Sequence, residues 1–145
     1  MGKYPEPPEW KDANDLRLFD GMFTDLYAEA WRGEEDWAVF LGVIAKGPWR
    51  YEFRVDGEPA EMIRAFQWVD GINPHLFISV GNVKVGCYFF GENSFELTFD
   101  QRELATEFDY RELLSFMQVL ATNLQTTILV CPENCPERPI FAVGP

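Results

Sequence analysis

The sequence predicts an α+β protein with an antiparallel sheet of five to seven strands packed against about three helices. Three segments, two before residue 49 and one after residue 99, carry apolar residues at steps of three and four, as amphipathic helices do, whereas the stretch between residues 49 and 99 changes to a period of two. The chain has 145 residues, of which 47% are hydrophobic and 25% charged. That length and composition are typical of one globular domain that folds without disulfides or metals.

The N-terminal region predicts an extended arm followed by a helix. Residues 1–11 contain three prolines and form the arm, and residues 12–145 form the single domain. The helical pattern begins at Asp12 and stops at Gly33. Its apolar positions are Phe19, Met22, Phe23, Leu26, Tyr27 and Ala30.

A second helix is predicted directly after Gly33. Acidic residues from Glu34 onward suit the first turn of a helix, and Lys46 precedes a Gly-Pro pair that ends it. Gly42 in the middle costs about 1 kcal/mol relative to Ala. A buried strand over residues 37–44 is therefore the alternative.

Alternating apolar and polar residues then predict an antiparallel meander of five strands. The predicted strands are residues 49–55, 62–69, 75–80, 83–90 and 94–99. Asp-Gly pairs at 56–57 and 70–71 and the Gly81-Asn82 pair supply the turns between them.

The C-terminal region predicts a helix and two further strands. Asp109, with Glu112 three residues later, resembles a capping box at the helix start. The apolar face of this helix comprises Leu113, Phe116, Met117, Leu120 and Leu124. Residues 127–130 form a strand, residues 131–139 a proline-rich loop, and residues 140–143 a short edge strand.

The charge of the chain excludes several classes of partner. With 24 acidic and 12 basic residues, the net charge is −12, which argues against binding to nucleic acid or to an anionic membrane surface. A basic protein partner would instead be attracted. The N-terminal residues lack the apolar stretch of a signal peptide, and three cysteines do not form a secreted disulfide framework. We expect a cytoplasmic protein.

No motif for catalysis, metal binding or a cofactor is present, so we expect neither an enzyme nor a cofactor or metal. His75 is the single histidine and has no companion motif. Cys131 and Cys135 lie four residues apart, which is not redox spacing. We interpret them as free thiols, with a local disulfide on oxidation as the alternative.

Four residues are candidates for contact with a partner. Glu34, Glu35 and Asp36 form the densest acidic run, although such a run also suits a solvated helix start. Trp10 lies in the predicted arm, where an aromatic side chain can anchor a partner or pin the arm to the domain.

The chain resembles, in type, the small acidic immunity proteins of bacterial polymorphic toxin systems. The resemblance rests on the net charge of −12, the lack of a catalytic motif, and the stretch from Phe108 to Ile140. In that stretch a capped helix (DYRELLSFM) precedes a strand (TILV) and the loop CPENCPERP. The resemblance implies an inhibitor that occludes a basic toxin domain.

Two other functions remain open from the sequence. Many tryptophans and carboxylates are also typical of a small-molecule or glycan-binding domain, or of an enzyme with a carboxylate-based site. Such a site would require a pocket lined by Trp and at least two acids. The third alternative is a structural or regulatory subunit of a larger complex.

Overall fold

Eight antiparallel strands form one sheet within residues 3–13, 23–62 and 74–145, which this computed structural model describes. The strands are β1 (Phe23–Ala28), β2 (Arg50–Val55), β3 (Glu58–Pro59), β4 (Pro74–Val80), β5 (Val83–Tyr88), β6 (Glu96–Asp100), β7 (Ile128–Pro132) and β8 (Phe141–Val143). Their order across the sheet is β3-β2-β4-β5-β6-β1-β7-β8. The α-helices of the described residues are α1 (Glu34–Lys46) and α2 (Glu107–Leu124).

The α+β class is thus confirmed, with different numbers of elements. The sheet has more strands than the predicted five to seven, and the described part of the chain has two α-helices rather than about three. The predicted strand over 62–69 and the turn at 70–71 lie, from residue 63 onward, outside the described residues.

The prediction of a helix from Asp12 to Gly33 is wrong where the structure describes it. β1 occupies this region and pairs with β6 on one side and β7 on the other. The helical spacing was misleading because Leu26 faces the helices, whereas Tyr27 faces the opposite side of the sheet. Pairing along both edges of a central strand outweighs the local pattern.

The second helix is confirmed as α1, so the alternative of a strand over residues 37–44 is excluded. Trp37, Phe40, Leu41 and Ile44 lie buried on one face of α1. Gly42 is on the other side of the helix, where no atom lies within 4 Å of the position that its Cβ would occupy. The helix tolerates this glycine because burial of its apolar face supplies the stability.

Helix α2 has the predicted apolar face, but it begins earlier than predicted. Its N-cap is Thr106, whose Oγ1 accepts a hydrogen bond from the backbone N–H of Asp109. Asp109 is therefore inside the first turn, buried, and its Oδ1 accepts hydrogen bonds from the backbone and side chain of Asn82 at 3.0 Å each. This contact fixes the β4–β5 turn, where Gly81 has a φ of 61°, against the start of α2.

One row of buried side chains crosses the sheet and forms the centre of the core. It consists of Phe53, Leu76, Cys87, Leu97, Leu26, Val130 and Phe141, each paired in register with the next. The apolar faces of α1 and α2 pack on this side of the sheet. The opposite side, which we call the open face, is covered by no described helix.

The N-terminal arm packs along the edge strand β8. The backbone N–H of Ala142 donates to the carbonyl of Pro5 at 2.9 Å, and the Tyr110 hydroxyl donates to the carbonyl of Pro8 at 2.5 Å. Trp10 forms part of a single 3₁₀ turn, Trp10–Asp12, and its ring lies 5.6 Å from that of Tyr110. These contacts protect the edge of the sheet from pairing with another chain.

Candidate functional site on the open face of the sheet

The open face presents a second row of side chains, one position along from the core row. The row runs through Glu52, Phe77, Gly86, Thr98, Asp25 and Cys131, which are paired in register. The charge of the open face changes across the sheet. Arg50, Arg54 and Lys84 belong to the β2–β5 side, whereas acidic residues dominate over β1 and β6.

A pocket of about 240 Å³ lies on the acidic half of this face. It is lined by Phe23, Asp25, Tyr88, Phe90, Glu96, Thr98, Glu133 and Asn134. We call it the acidic pocket. None of the described residues that line it is Lys or Arg, so its three carboxyl groups have no basic side chain among them.

Asp25 lies at the base of the acidic pocket, on the central strand β1. Only 1% of the residue is exposed. Its Oδ2 accepts hydrogen bonds from the Tyr27 hydroxyl at 3.0 Å and from the backbone N–H of Asn134 at 2.8 Å. The second bond anchors the loop after β7 onto the sheet. A buried carboxylate normally has such partners or a cation, because desolvation without them is costly.

Glu96 faces the same pocket from β6, beside Asp25. Burial, the charge of Asp25, a hydrogen bond with Asp25 and the charge of Glu133 together raise the pKa of Glu96 from its ordinary 4.5 to about 7, and burial has the largest effect. A carboxyl group in a partly desolvated site beside other acidic groups ionises less readily than it does in water. Glu96 therefore titrates near neutral pH.

The Tyr27 hydroxyl and the Cys131 thiol, which lie near Asp25, are neutral at physiological pH. Burial, followed by the negative charge of Asp25, raises the pKa of the Tyr27 hydroxyl far above its ordinary value. The same two effects raise the pKa of the Cys131 thiol to about 12. A thiol held in this form is a poor nucleophile. Cys131 and Cys135 are both free in the structure.

Aromatic rings form the walls of the acidic pocket. Phe90 is 65% exposed and Phe23 is 44% exposed, and the Phe90 ring lies 5.9 Å from that of Tyr88. His75 also packs against Tyr88, edge to face, with ring centroids 4.4 Å apart. Large apolar side chains at the surface are typical of binding sites when they surround buried polar groups.

The three residues of the predicted acidic run at the start of α1 differ in their exposure in the structure. Glu34 and Glu35 are exposed. Asp36 is buried, and its carboxylate accepts hydrogen bonds from the backbone N–H of Arg32 at 2.7 Å and from the Arg32 guanidinium at 2.7 and 3.0 Å. Asp36 thus stabilises the helix start, and of the three acids only the two glutamates are exposed, Glu35 at 3.4 Å from the Arg32 guanidinium.

The tryptophans lie away from the acidic pocket in the described part of the chain. Trp37 is fully buried, and Trp31 stacks on Phe95 with ring centroids 4.2 Å apart. Both indole N–H groups donate to the carbonyl of Glu92, at 2.8 and 3.0 Å. Trp10, the predicted anchor, is half-buried against Tyr110. The tryptophans of the described residues therefore serve mainly to pack the core and its margins.

The sequence did not identify the acidic pocket, because its acids are distant along the chain. Asp25 lies in the segment whose apolar spacing predicts a helix, and Glu96 lies in a predicted strand that carries no motif. One signal was present in the segment FTDLYA, where a single acid sits among residues that favour strands. A carboxylate in such a position faces either solvent or a site.

No group of three His, Cys, Asp or Glu residues that could hold a metal ion occurs within the described residues. Neither of the two described helices is long and apolar enough to cross a membrane. None of the protein families, curated proteins or solved structures with which the chain was compared matches it. The case for a function therefore rests on the geometry of the open face.

Proposed function

We propose that this protein is a non-enzymatic binding protein for a basic protein partner, of the inhibitor or immunity-protein type, and that a Lys or Arg side chain of the partner enters the acidic pocket. The observation that carries the proposal is the lining of the pocket. Asp25, Glu96 and Glu133 share one cavity with three aromatic rings and no described basic residue.

The chemistry of the lining suits a guanidinium or ammonium group. Carboxylates form charge-assisted hydrogen bonds with these cations, and a guanidinium can bind a carboxylate through two bonds at once. Tyr88 and Phe90 add aromatic faces, which attract cations by about 0.5–2 kcal/mol each depending on desolvation. A side chain anchored in such a pocket typically accounts for at least about 2 kcal/mol of binding free energy.

The exposed acids elsewhere contribute to the rate of association rather than to the contact itself. A net charge of −12 attracts a basic protein over long distances. Glu34 and Glu35 belong to this group, since they are exposed at the start of α1. Charges of this kind mainly change the on-rate and its dependence on salt.

Affinity capture with matched variants tests the proposal. The tagged protein, E96Q/E133Q and E34Q/E35Q are each used to capture proteins from the native host over a series of salt concentrations. Each variant replaces two glutamates by glutamine, so the two variants lose the same number of carboxyl groups. We expect the wild type and E34Q/E35Q to retain a basic partner that salt releases, and E96Q/E133Q to lose it. Equal capture by both variants would show that the acidic pocket is not the contact site.

A second candidate function is binding of a small molecule. Glu96, with its raised pKa, lines one cavity with Asp25, an arrangement that also suits a small organic cation or acid-base chemistry. The described walls contain Phe and Tyr rather than the Trp that we expected for a glycan site. A thermal-shift screen with polyamines, quaternary ammonium compounds and sugars separates this function from the first. A shift with one compound that E96Q/E133Q abolishes would favour it.

A further inference from the structure

We propose that the free protein forms a two-fold symmetric dimer through the open face, in which the basic half of this face in each copy covers the acidic half in the other. The basic half consists of the open-face residues of β2, β4 and β5, and the acidic half consists of those of β6 and β1 with the loop after β7. The dimer does not depend on the proposed function, but it covers the acidic pocket until a basic partner displaces the second copy.

Both halves of the open face are accessible to another molecule. Arg50, Ser79 and Lys84 are exposed on the basic half. Phe23 and Phe90, beside the acidic pocket, are 44% and 65% exposed. The two described α-helices pack on the opposite side of the sheet. An accessible sheet face with large aromatic side chains is typical of a protein–protein interface.

The two halves of the open face carry opposite charges. Arg54 forms an ion pair with Glu52 on the same strand, so the basic half presents its positive charge mainly through Arg50 and Lys84. The acidic half contains the carboxyl groups of the acidic pocket, which no described basic residue lines. A surface with one positive and one negative half is complementary to a copy of itself when a two-fold axis relates the two copies.

The boundary between the halves is suited to such an axis. Gly86 on β5 pairs with Thr98 on β6 at this boundary. An axis that runs along the strands here places β5 of one copy over β6 of the other, β4 over β1, and β2 over β7. Gly86 has no side chain, so the two sheets can approach closely at the axis. Sheets that pack face to face in this way keep their strands within about 30° of each other.

The register of the strands decides which charges meet across this axis. One row of the open face lies one pleat along from the row of Gly86. It consists of Arg50, Ser79, Lys84, Asp100, Phe23 and Glu133. The two ends of the row are equally far from the axis, so Arg50 of each copy lies opposite Glu133 of the other. The dimer contains this contact twice.

The size of the open face sets the strength of the dimer. Six strands lie between β2 and β7, and with about 4.8 Å between strands and about five residues of each strand the face measures roughly 29 by 17 Å. The two copies together then bury about 1,000 Å² or somewhat more, which is at the low end for a specific complex. We therefore expect a reversible dimer with a dissociation constant in the micromolar range.

Charge reversal at the matched pair tests the dimer. Sedimentation equilibrium of the whole protein measures the average mass as the concentration rises, at pH 8, where Glu96 carries its charge. R50E and E133R are measured separately and as an equal mixture, after circular dichroism confirms that both are folded. Each variant alone places like charges at both copies of the contact, whereas a mixed dimer has opposite charges at both. E34R is the control for E133R, because Glu34 is exposed on α1, on the other side of the sheet.

We expect the average mass of the wild type and of E34R to rise towards twice the 16.8 kDa of one chain. R50E and E133R should each dimerise at least about tenfold more weakly, and their mixture should dimerise as the wild type does. A monomer at every concentration up to about 500 μM, a dimer that R50E leaves intact, or a mixture that stays as weak as its components overturns the dimer. Each of these results leaves the proposed function standing, because that function requires only an accessible acidic pocket.

Discussion

Replacement of Glu96 by Gln should make the folded protein more stable in mild alkali and leave its stability in mild acid unchanged. Gln resembles the protonated form of Glu96 and cannot ionise. In the wild type, the pKa of Glu96 is raised from 4.5 to about 7. The folded state therefore holds this proton more tightly than the unfolded chain does. The resulting stabilisation is complete below about pH 4.5 and is lost as the pH rises through about 7.

The size of the effect follows from the same pKa. A change from 4.5 to about 7 corresponds to about 3 kcal/mol. Glu96 is only half-buried, and solvent screens its interaction with Asp25, so we expect about 1–2 kcal/mol. E96Q should match the wild type at pH 4 to within a few tenths of a kcal/mol, because Glu96 is then largely protonated in both the folded and the unfolded protein, and exceed it by about 1–2 kcal/mol at pH 8.5.

Urea unfolding monitored by tryptophan fluorescence measures this difference at pH 4.0, 5.5, 7.0 and 8.5. E34Q is the matched control, because Glu34 is an exposed acid at the start of α1. Its effect on the free energy of unfolding should be small and constant over this range. If the free energies of unfolding of wild type and E96Q run parallel with pH, the pKa of Glu96 is not raised in the folded protein.

Three further predictions concern the core, a helix cap and the thiols. Trp37→Ala should cost about 3–5 kcal/mol of unfolding free energy, because Trp37 is fully buried and its indole N–H donates to a backbone carbonyl; a loss below 1 kcal/mol in urea unfolding would contradict the packing described. Thr106→Ala should cost about 1 kcal/mol through loss of the α2 N-cap, whereas Thr122→Ala, on the exposed side of the same helix, should cost little; equal losses in thermal unfolding would argue against the cap. Iodoacetamide should modify Cys135, which is half-buried, long before the buried Cys131, as peptide mass spectrometry of native protein can show; faster labelling of Cys131 would disprove its burial.

Elements defined by local signals were predictable from the sequence. The apolar faces of α1 and α2 repeat within single segments, and the β4–β5 hairpin has its own glycine turn at Gly81. β1 was not predictable in this way. Its partners β6 and β7 lie far along the chain, and their backbone hydrogen bonds decide the conformation of residues whose spacing also suits a helix.

The candidate site was less predictable than the fold, for a related reason. Asp25, Glu96 and Glu133 come from three separate segments, and only the order of strands in the sheet brings them together. In contrast, the acidic run at residues 34–36 is conspicuous in the sequence, yet the Asp36 carboxylate already accepts hydrogen bonds from Arg32. Density of charge along a chain indicates little about which carboxylates face a common cavity.

The most direct test of the central claim is to map where a cation binds. N-acetyl-arginine amide is added to the wild-type protein at pH 8, and backbone amide shifts are recorded by NMR. The account predicts that the largest saturable shifts lie around Asp25, Glu96 and Asn134, and that E96Q/E133Q abolishes them. Shifts confined to the start of α1 at Glu34 and Glu35, or spread over the acidic surface without saturation, would contradict it.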